Sequence, residues 1–189
     1  MVDPDTQLMV NYCAGEAAAF RDLLQRNNAI VFKLACRYLG DPTEAEDVVQ
    51  DVFIRVHGAA RDYKPTAKFT TWLYRITVNV CLNRLRSSKV HATVSLDATP
   101  TEDDEPMAGI ASEPAEAPSA KLEREELEVK VREAMACLPE SQRTAVLLRR
   151  FHEMSYEEIA EVMQTTVPAV KSLLARARQT LKSMLGKYL

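Results

Sequence analysis

The side chains best suited to chemistry lie in the stretch KFTTWLYRITVNVCLNRLRSSK, residues 68–89. At about 100° per residue, Arg75, Asn79, Asn83 and Arg86 fall on one narrow stripe, with Trp72 on the same side. Guanidinium groups bind phosphate, side-chain amides hydrogen-bond base edges, and an indole offers a face for an unstacked base. On the same helix Phe69, Leu73, Ile76 and Val80 form one apolar face, and Tyr74, Val78, Cys81 and Leu85 a second. A simple surface helix has one broad polar side. This one predicts burial over most of its circumference, with a strip kept for something polar and negatively charged. Between Arg55 and His91 there are eight Lys or Arg (Arg55, Arg61, Lys64, Lys68, Arg75, Arg84, Arg86, Lys89) against one acid, Asp62. Basic groups interleaved with Tyr63, Phe69, Trp72 and Tyr74 suit a separated nucleic-acid strand. The aromatics also suit a core: packing is the better reading for Phe69 and Tyr74, and Trp72 stands between the two.

A second constellation occupies residues 155–182. Ser155 with Glu158 three positions on is a capping box that opens a helix. A turn at about Met163–Thr166 follows, and a second helix begins near Val167 and Pro168. Ala160 and Val170 are ten residues apart, the arrangement of a small residue that admits a close partner helix and a β-branched residue that wedges between them. From Pro168 onward there are five basic residues (Lys171, Arg176, Arg178, Lys182, Lys187) and no acid, while the first helix carries Glu157, Glu158 and Glu161. A second helix with a basic outer side is what entry into the DNA major groove requires. Pro168 opens it, and Ala169, Lys171, Ser172, Ala175 and Arg176 are the candidates for base and phosphate contact. The plainer alternative is an αα-hairpin with a solvated basic face.

The elements that must position these groups are helical throughout. Phe20, Leu23, Leu24, Val31, Leu34 and Tyr38 recur at helical spacing up to Gly40, after which Asp41 and Pro42 read as an N-cap and first helical residue. The next helix, TEAEDVVQDVFIRVHGAA, turns Ala45, Val48, Val49, Val52 and Phe53 inward. Its outer acids Glu44, Glu46, Asp47 and Asp51 are unsuited to DNA and suit a protein partner. The loop RDYKPTAK then leads to Lys68. Residues 91–119 differ in kind: seven acids (Asp97, Glu102, Asp103, Asp104, Glu105, Glu113, Glu116), four Pro and no Lys or Arg over 94–120. Such composition buries too little surface to offset chain entropy, and predicts a flexible acidic linker. Beyond it, KLEREELEVKVREAMACL and PESQRTAVLLRRFHE precede the capping box, with Leu122, Leu127, Val131 and Leu138 apolar among dense charge. The expected fold is all-α: two small helical domains, 1–90 and 120–189, joined by the linker, the C-terminal one a helix-turn-helix.

Totals narrow the function by exclusion. The net charge of −3 gives no nucleic-acid signal, so that signal lies wholly in how charge is distributed. The four Cys form no CxxC pair and sit in apolar helical contexts, which predicts buried thiols in a reducing compartment. The three His do not cluster, so neither a metal nor a cofactor is expected. No P-loop, GxGxxG, GxSxG or HExxH occurs, and the carboxylates fall on solvated helix faces; no enzyme is indicated. No apolar run reaches the length of a membrane span, and the acidic start MVDPDTQLMV lacks a signal peptide's basic and apolar regions. The expected location is cytoplasmic.

EAEDVVQDVFIRV, then KFTTWLYRITVNVCLNRLR, then the linker, then LPESQRTAVLLRRFHEMSYEEIAEVMQTTVPAVKSLLARAR resemble the extracytoplasmic-function (group IV) sigma factors of the bacterial sigma-70 family. The likeness runs from about residue 15 to the end, the linker excepted. It implies a subunit that directs core RNA polymerase to specific promoters. The acidic helix, through Glu46, Asp47, Gln50 and Asp51, would dock on the clamp of the β′ subunit, and the β subunit would be a further partner. The loop from Tyr63 through Lys64 to Lys68, with Trp72, Arg75, Asn79, Asn83 and Arg86, would recognise and melt the minus-ten element. The helix from Pro168 to Arg176 would read the minus-thirty-five element, and an anti-sigma factor would hold the protein inactive. The first 90 residues would then be sigma region 2 and residues 120–189 region 4. Two departures stand out. Residue 173 is Leu where many relatives carry Arg, so one DNA contact is lost. The linker is also long and acidic, which predicts mimicry of nucleic acid in the polymerase channel; unchanged open-complex formation after deletion of Glu102–Glu105 would count against that.

Two other classes compete with this reading. A stand-alone helix-turn-helix regulator would bind duplex tightly without polymerase, as a dimer on spaced half-sites; the charge on residues 68–89 speaks against a mere dimerisation face. An enzyme acting on nucleic acid would need a metal or nucleophile constellation that the sequence lacks.

Overall fold

Eight α-helices and one short 3-10 turn make up the residues described (3–65, 67–94 and 118–186, with side chains to 87 and from 126) in the computed structural model, and no strand occurs among them. The N-terminal half comprises α1 (Pro4–Cys13), α2 (Ala17–Leu39), α3 (Pro42–Gly58), the 3-10 turn Ala60–Asp62 and α4 (Phe69–Val94). The C-terminal half comprises α5 (Pro118–Ala136), α6 (Glu140–Phe151), α7 (Tyr156–Val162) and α8 (Val167–Leu185). The all-α expectation holds.

Helix ends fall where local chemistry puts them. Gly40 closes α2 at φ +81°, a left-handed conformation that strains any other residue but Asn, and its N–H reaches the Cys36 carbonyl at 2.8 Å. Asp41 then accepts from the Thr43 N–H at 2.7 Å and starts α3, with Pro42 in the first position. Ser155 and Glu158 close the capping box of α7, at 3.1 and 2.9 Å. Thr166 caps α8.

The expected inward faces meet in one core. Leu23, Val31, Leu34 and Tyr38 of α2 pack with Ala45, Val48, Val52 and Phe53 of α3 and with Phe69, Leu73, Val80 and Cys81 of α4. Leu24, expected inward, is instead 38% exposed: it shares a spacing with the core residues but lies off their face. The buried-thiol expectation holds for Cys81 alone. Cys36 is half-buried, and Cys13 and Cys137 are exposed because they end α1 and follow α5, where the chain turns outward.

The helices also enter the region read as a linker. α4 runs to Val94 and α5 begins at Pro118, so both ends of 91–119 are helical; the acidic run at 95–117 lies outside the described residues. The sequence leaves the placement of the two halves open. In the structure they share a continuous buried cluster reaching from Leu23 to Leu147, Leu148, Ile159 and Val170. The seam is polar as well as apolar. The Tyr38 hydroxyl donates to Thr144 Oγ1 at 2.7 Å, both groups buried. Arg143 donates to the Tyr38 carbonyl and lies 5.7 Å above its ring. Arg37 stacks on Phe151 at 4.4 Å. Tyr74 meets His152 Nδ1 at 2.8 Å, their rings edge to face.

Candidate nucleic-acid and polymerase interfaces

The start of α4 gathers three aromatic rings. Phe69 is fully buried; Tyr63 and Trp72 are half-buried and meet edge to face at 5.1 Å, and each also contacts Phe69. Trp72 is therefore both packed and partly open, which joins the two readings left by its sequence. Tyr63, Lys64, Ala67, Thr71, Trp72 and Arg75 line one small cleft, closed from the other half by Glu161 of α7. Asn79 and Asn83 lie exposed further along α4. The stripe expected from the helical period is thus present on one side of the helix, with an aromatic cleft at its head. The Tyr63 hydroxyl is buried against Thr6 without completing a hydrogen bond, and that burial raises its pKa.

Two cations of the strip face the C-terminal half. Lys68 Nζ lies 2.8 Å from Glu158 Oε1, and Arg86 lies 2.8 Å from Glu140 Oε2. The hydrogen bond to Lys68 and that to the Ser155 backbone hold the Glu158 carboxyl below its usual range, and the same Glu158 bond raises the Lys68 pKa. Arg84, counted among the basic residues of the region, turns the other way. It reaches Asp51 at 3.3 Å and Asp47 at 3.5 Å on α3, tying α4 to the acidic helix.

On α3, Glu46, Asp47 and Gln50 are exposed and Asp51 is half-exposed. Ile54, one turn beyond Gln50 on the same face, is 67% exposed, more than any other large apolar side chain among the described residues. In the sequence it is one apolar residue in an apolar run; its position between Asp51 and Arg55, off the Val48–Val52 face, is the signal that marks it.

On α8, Val170 and Ala177 are buried, and Leu174 packs against the core. Pro168, Lys171, Ala175 and Arg176 are exposed on the opposite arc, with Ser172 among them and Ala169 at its edge, both half-buried. Arg176 donates to Ser172 Oγ at 2.8 Å, and Lys171 Nζ lies 5.7 Å over the Tyr156 ring. Ala160 and Val170 are both buried, as the helix-turn-helix packing requires. The turn between them bends through Gln164 at φ +50°. Leu173 is half-buried, so the residue that departs from the common pattern lies between core and surface.

Three distinct surfaces therefore lie on one chain: an acidic face with an apolar centre on α3, a basic and aromatic strip on α4, and a basic face on α8. Among the described residues no group of His, Cys, Asp and Glu is arranged to hold a metal, and no helix is long and apolar enough to cross a membrane.

Two stretches match family models. Residues 23–90 match Sigma-70 region 2, and residues 128–181 match Sigma-70, region 4. The RNA polymerase sigma-H factor of Pseudomonas aeruginosa is 35% identical, over 99% of this chain and 96% of its own length. The ECF RNA polymerase sigma factor SigW of Bacillus subtilis is 30% identical, over 90% of this chain and 91% of its own. Among solved structures, CnrH in complex with the cytosolic domain of CnrY has a TM-score of 0.71 at 25% identity, covering 98% of this chain and 99% of that one.

Proposed function

The chain belongs to the sigma-70 family, in its extracytoplasmic-function branch, and we propose how its surfaces divide the work of promoter recognition. Residues 1–90 act as region 2 and residues 120–189 as region 4, with 91–119 as the connection. The α3 face of Glu46, Asp47, Gln50 and Asp51 docks on the β′ subunit of core polymerase, with Ile54 as its apolar centre. Tyr63, Lys64, Lys68, Trp72, Arg75, Asn79, Asn83 and Arg86 hold the melted minus-ten strand, the cations on its backbone and the aromatics on its bases. Pro168, Ala169, Lys171, Ser172, Ala175 and Arg176 meet the minus-thirty-five duplex in the major groove. The chain contributes binding and no catalysis, and works in the cytoplasm where polymerase is.

The observation that carries this reading is the engagement of Lys68 by Glu158 and of Arg86 by Glu140. Two strip cations already hold carboxylates, as they would hold phosphates. The structure is then a closed form, and strand capture exchanges these internal acids for DNA. A separate inhibitory protein that favours the closed form would act as an anti-sigma factor; CnrH, a relative in fold, was solved with a second protein bound.

The test is promoter-specific transcription by core polymerase on a genomic promoter library, with and without the chain. Asp51→Arg and Ile54→Asp should reduce core binding, and Trp72→Ala should leave core binding intact while reducing open complexes. Tight duplex binding by the free protein, with core polymerase indifferent to it, would replace this reading by a stand-alone regulator.

A further inference from the structure

Among the described residues, no side chain of its own segment caps the head of α4. Lys68, the residue before Phe69, carries no side-chain acceptor, and helix N-termini need one for their unpaired N–H groups. The Lys68 carbonyl takes the Thr71 and Trp72 N–H groups at 3.1 and 3.3 Å. The Phe69 N–H goes instead to Thr6 Oγ1 of α1, at 3.0 Å and in a buried setting. Thr6 is held in turn, since its hydroxyl donates to the Asp3 carboxylate at 2.9 Å. That bond aims the remaining lone pairs at Phe69. Asp3 also caps α1 by accepting the Thr6 N–H at 3.0 Å. α1 is anchored from its far side as well: Asp5 pairs with Arg26 at 2.6 Å and accepts from Asn27 at 3.2 Å, both on α2. The result is a relay from Asp3 through Thr6 to the first turn of α4, with the Tyr63 hydroxyl buried against it.

We propose that Thr6 is a positioning residue for strand capture. It touches no DNA. It fixes the first turn of α4, and through it the Tyr63 and Trp72 pair at the head of the strip. Thr6 lies outside the stretch that matches region 2, which begins at residue 23. The inference rests on the strip reading given above, and its test is built to separate the two.

Trp72 is the only Trp in the chain, so its fluorescence reports on this site alone. The full chain is compared with Thr6→Val, which keeps the shape and removes the hydroxyl, and with Thr6→Ser, which restores it. In Thr6→Val the Trp72 emission should move to the red and acrylamide quenching should rise. Open complexes formed by reconstituted holoenzyme on promoters recovered from the library should fall about tenfold, the scale of a lost buried hydrogen bond. Core binding should stay within about twofold, the range of a surface change far from the docking face. Thr6→Ser should return both readouts. Should Thr6→Val fail to fold, Asp3→Asn still caps α1 but accepts the Thr6 hydroxyl without charge, and an intermediate shift in both readouts is expected. Unchanged Trp72 emission and open-complex yield in Thr6→Val would overturn the proposal. So would equal loss of core binding and open complexes, or failure of Thr6→Ser to rescue. If wild-type chain forms no open complexes at all, the strip reading has failed, and Trp72 fluorescence still decides whether Thr6 positions the helix.

Discussion

Thr144→Val would test the seam between the halves at one atom. Tyr38 is fully buried, and its hydroxyl has Thr144 Oγ1 as acceptor at 2.7 Å. Val keeps the shape of Thr and removes that acceptor. In the closed form the phenol is then left without a partner, and an orphaned buried donor costs about 1–3 kcal/mol. Once the halves part the hydroxyl reaches water, so the penalty falls on closure. The closed-to-open ratio should drop by about 5- to 150-fold, at about 1.4 kcal/mol per tenfold. Tyr38→Phe removes the donor instead and leaves no orphan, because Thr144 still donates to the Glu140 carbonyl at 2.8 Å. Its effect should be about 0.5–1.5 kcal/mol, the net worth of one hydrogen bond. Cys13 and Cys137 are exposed, one in each half, and serve as dye sites for energy transfer in a Cys36→Ala background. Transfer efficiency should fall strongly in Thr144→Val and weakly in Tyr38→Phe. Equal effects from the two variants, or a lower melting temperature with unchanged transfer, would refute the reasoning.

Two further outcomes follow from the same seam. His152 is pushed down to about pKa 4 by burial, with Arg37 and Lys33 adding to the effect, and it faces Tyr74. An opened His152 returns toward its ordinary 6.5, so the open form binds more protons between those values; closure should weaken as pH falls from about 6.5 to 4 and be indifferent to His152 above that window. The Glu158 carboxyl is held below its usual value by Lys68 and the Ser155 backbone, so it weakens closure in the same direction at the acid end of this range. Energy transfer against pH should show the fall, and His152→Phe should flatten it; a flat wild-type curve would sink the idea. Glu158→Lys places like charges at Lys68 and should raise affinity for a single-stranded oligonucleotide probe at low salt, an effect that fades as salt rises. Adding Lys68→Glu should restore closure without restoring affinity, and a double variant that binds the probe as tightly as Glu158→Lys would refute it.

What could be read from the sequence was what depends on neighbours along the chain. Asp41 with Pro42, and Ser155 with Glu158, announce helix starts because each cap is satisfied within three residues. The α4 stripe and the outer arc of α8 follow from the helical period, since the period alone decides which side chains share a side. What escaped depends on residues far apart in sequence. Thr6 caps a helix 63 positions on, and the Lys68 and Arg86 partners lie 90 and 54 positions away. Thr6 lies in the first turn of α1, whose own cap is Asp3, so nothing in PDTQLMV marks it as a cap for another helix. Arg84 shows the same limit in reverse. Its charge was plain in the sequence, but the choice between the strip and the α3 acids is made by packing. The cysteines depart from the expected burial because apolar neighbours in sequence do not say whether a residue falls at a helix end, as Cys13 does.

The seam joins one shared apolar cluster with contacts that are individually weak: exposed ion pairs, two stacked Arg side chains and three polar contacts with a buried or half-buried partner. Between separate molecules, polar contacts of this kind would add little at cellular concentrations. Val94 and Pro118 are joined by covalent chain, however, so each half sees the other at an effective concentration on the order of millimolar, whatever the amount of protein present. Closure is then independent of expression level. A competitor for the strip, whether strand or protein, is measured against that fixed millimolar standard, and only one that is abundant, or delivered by a second point of attachment such as docked polymerase, meets it.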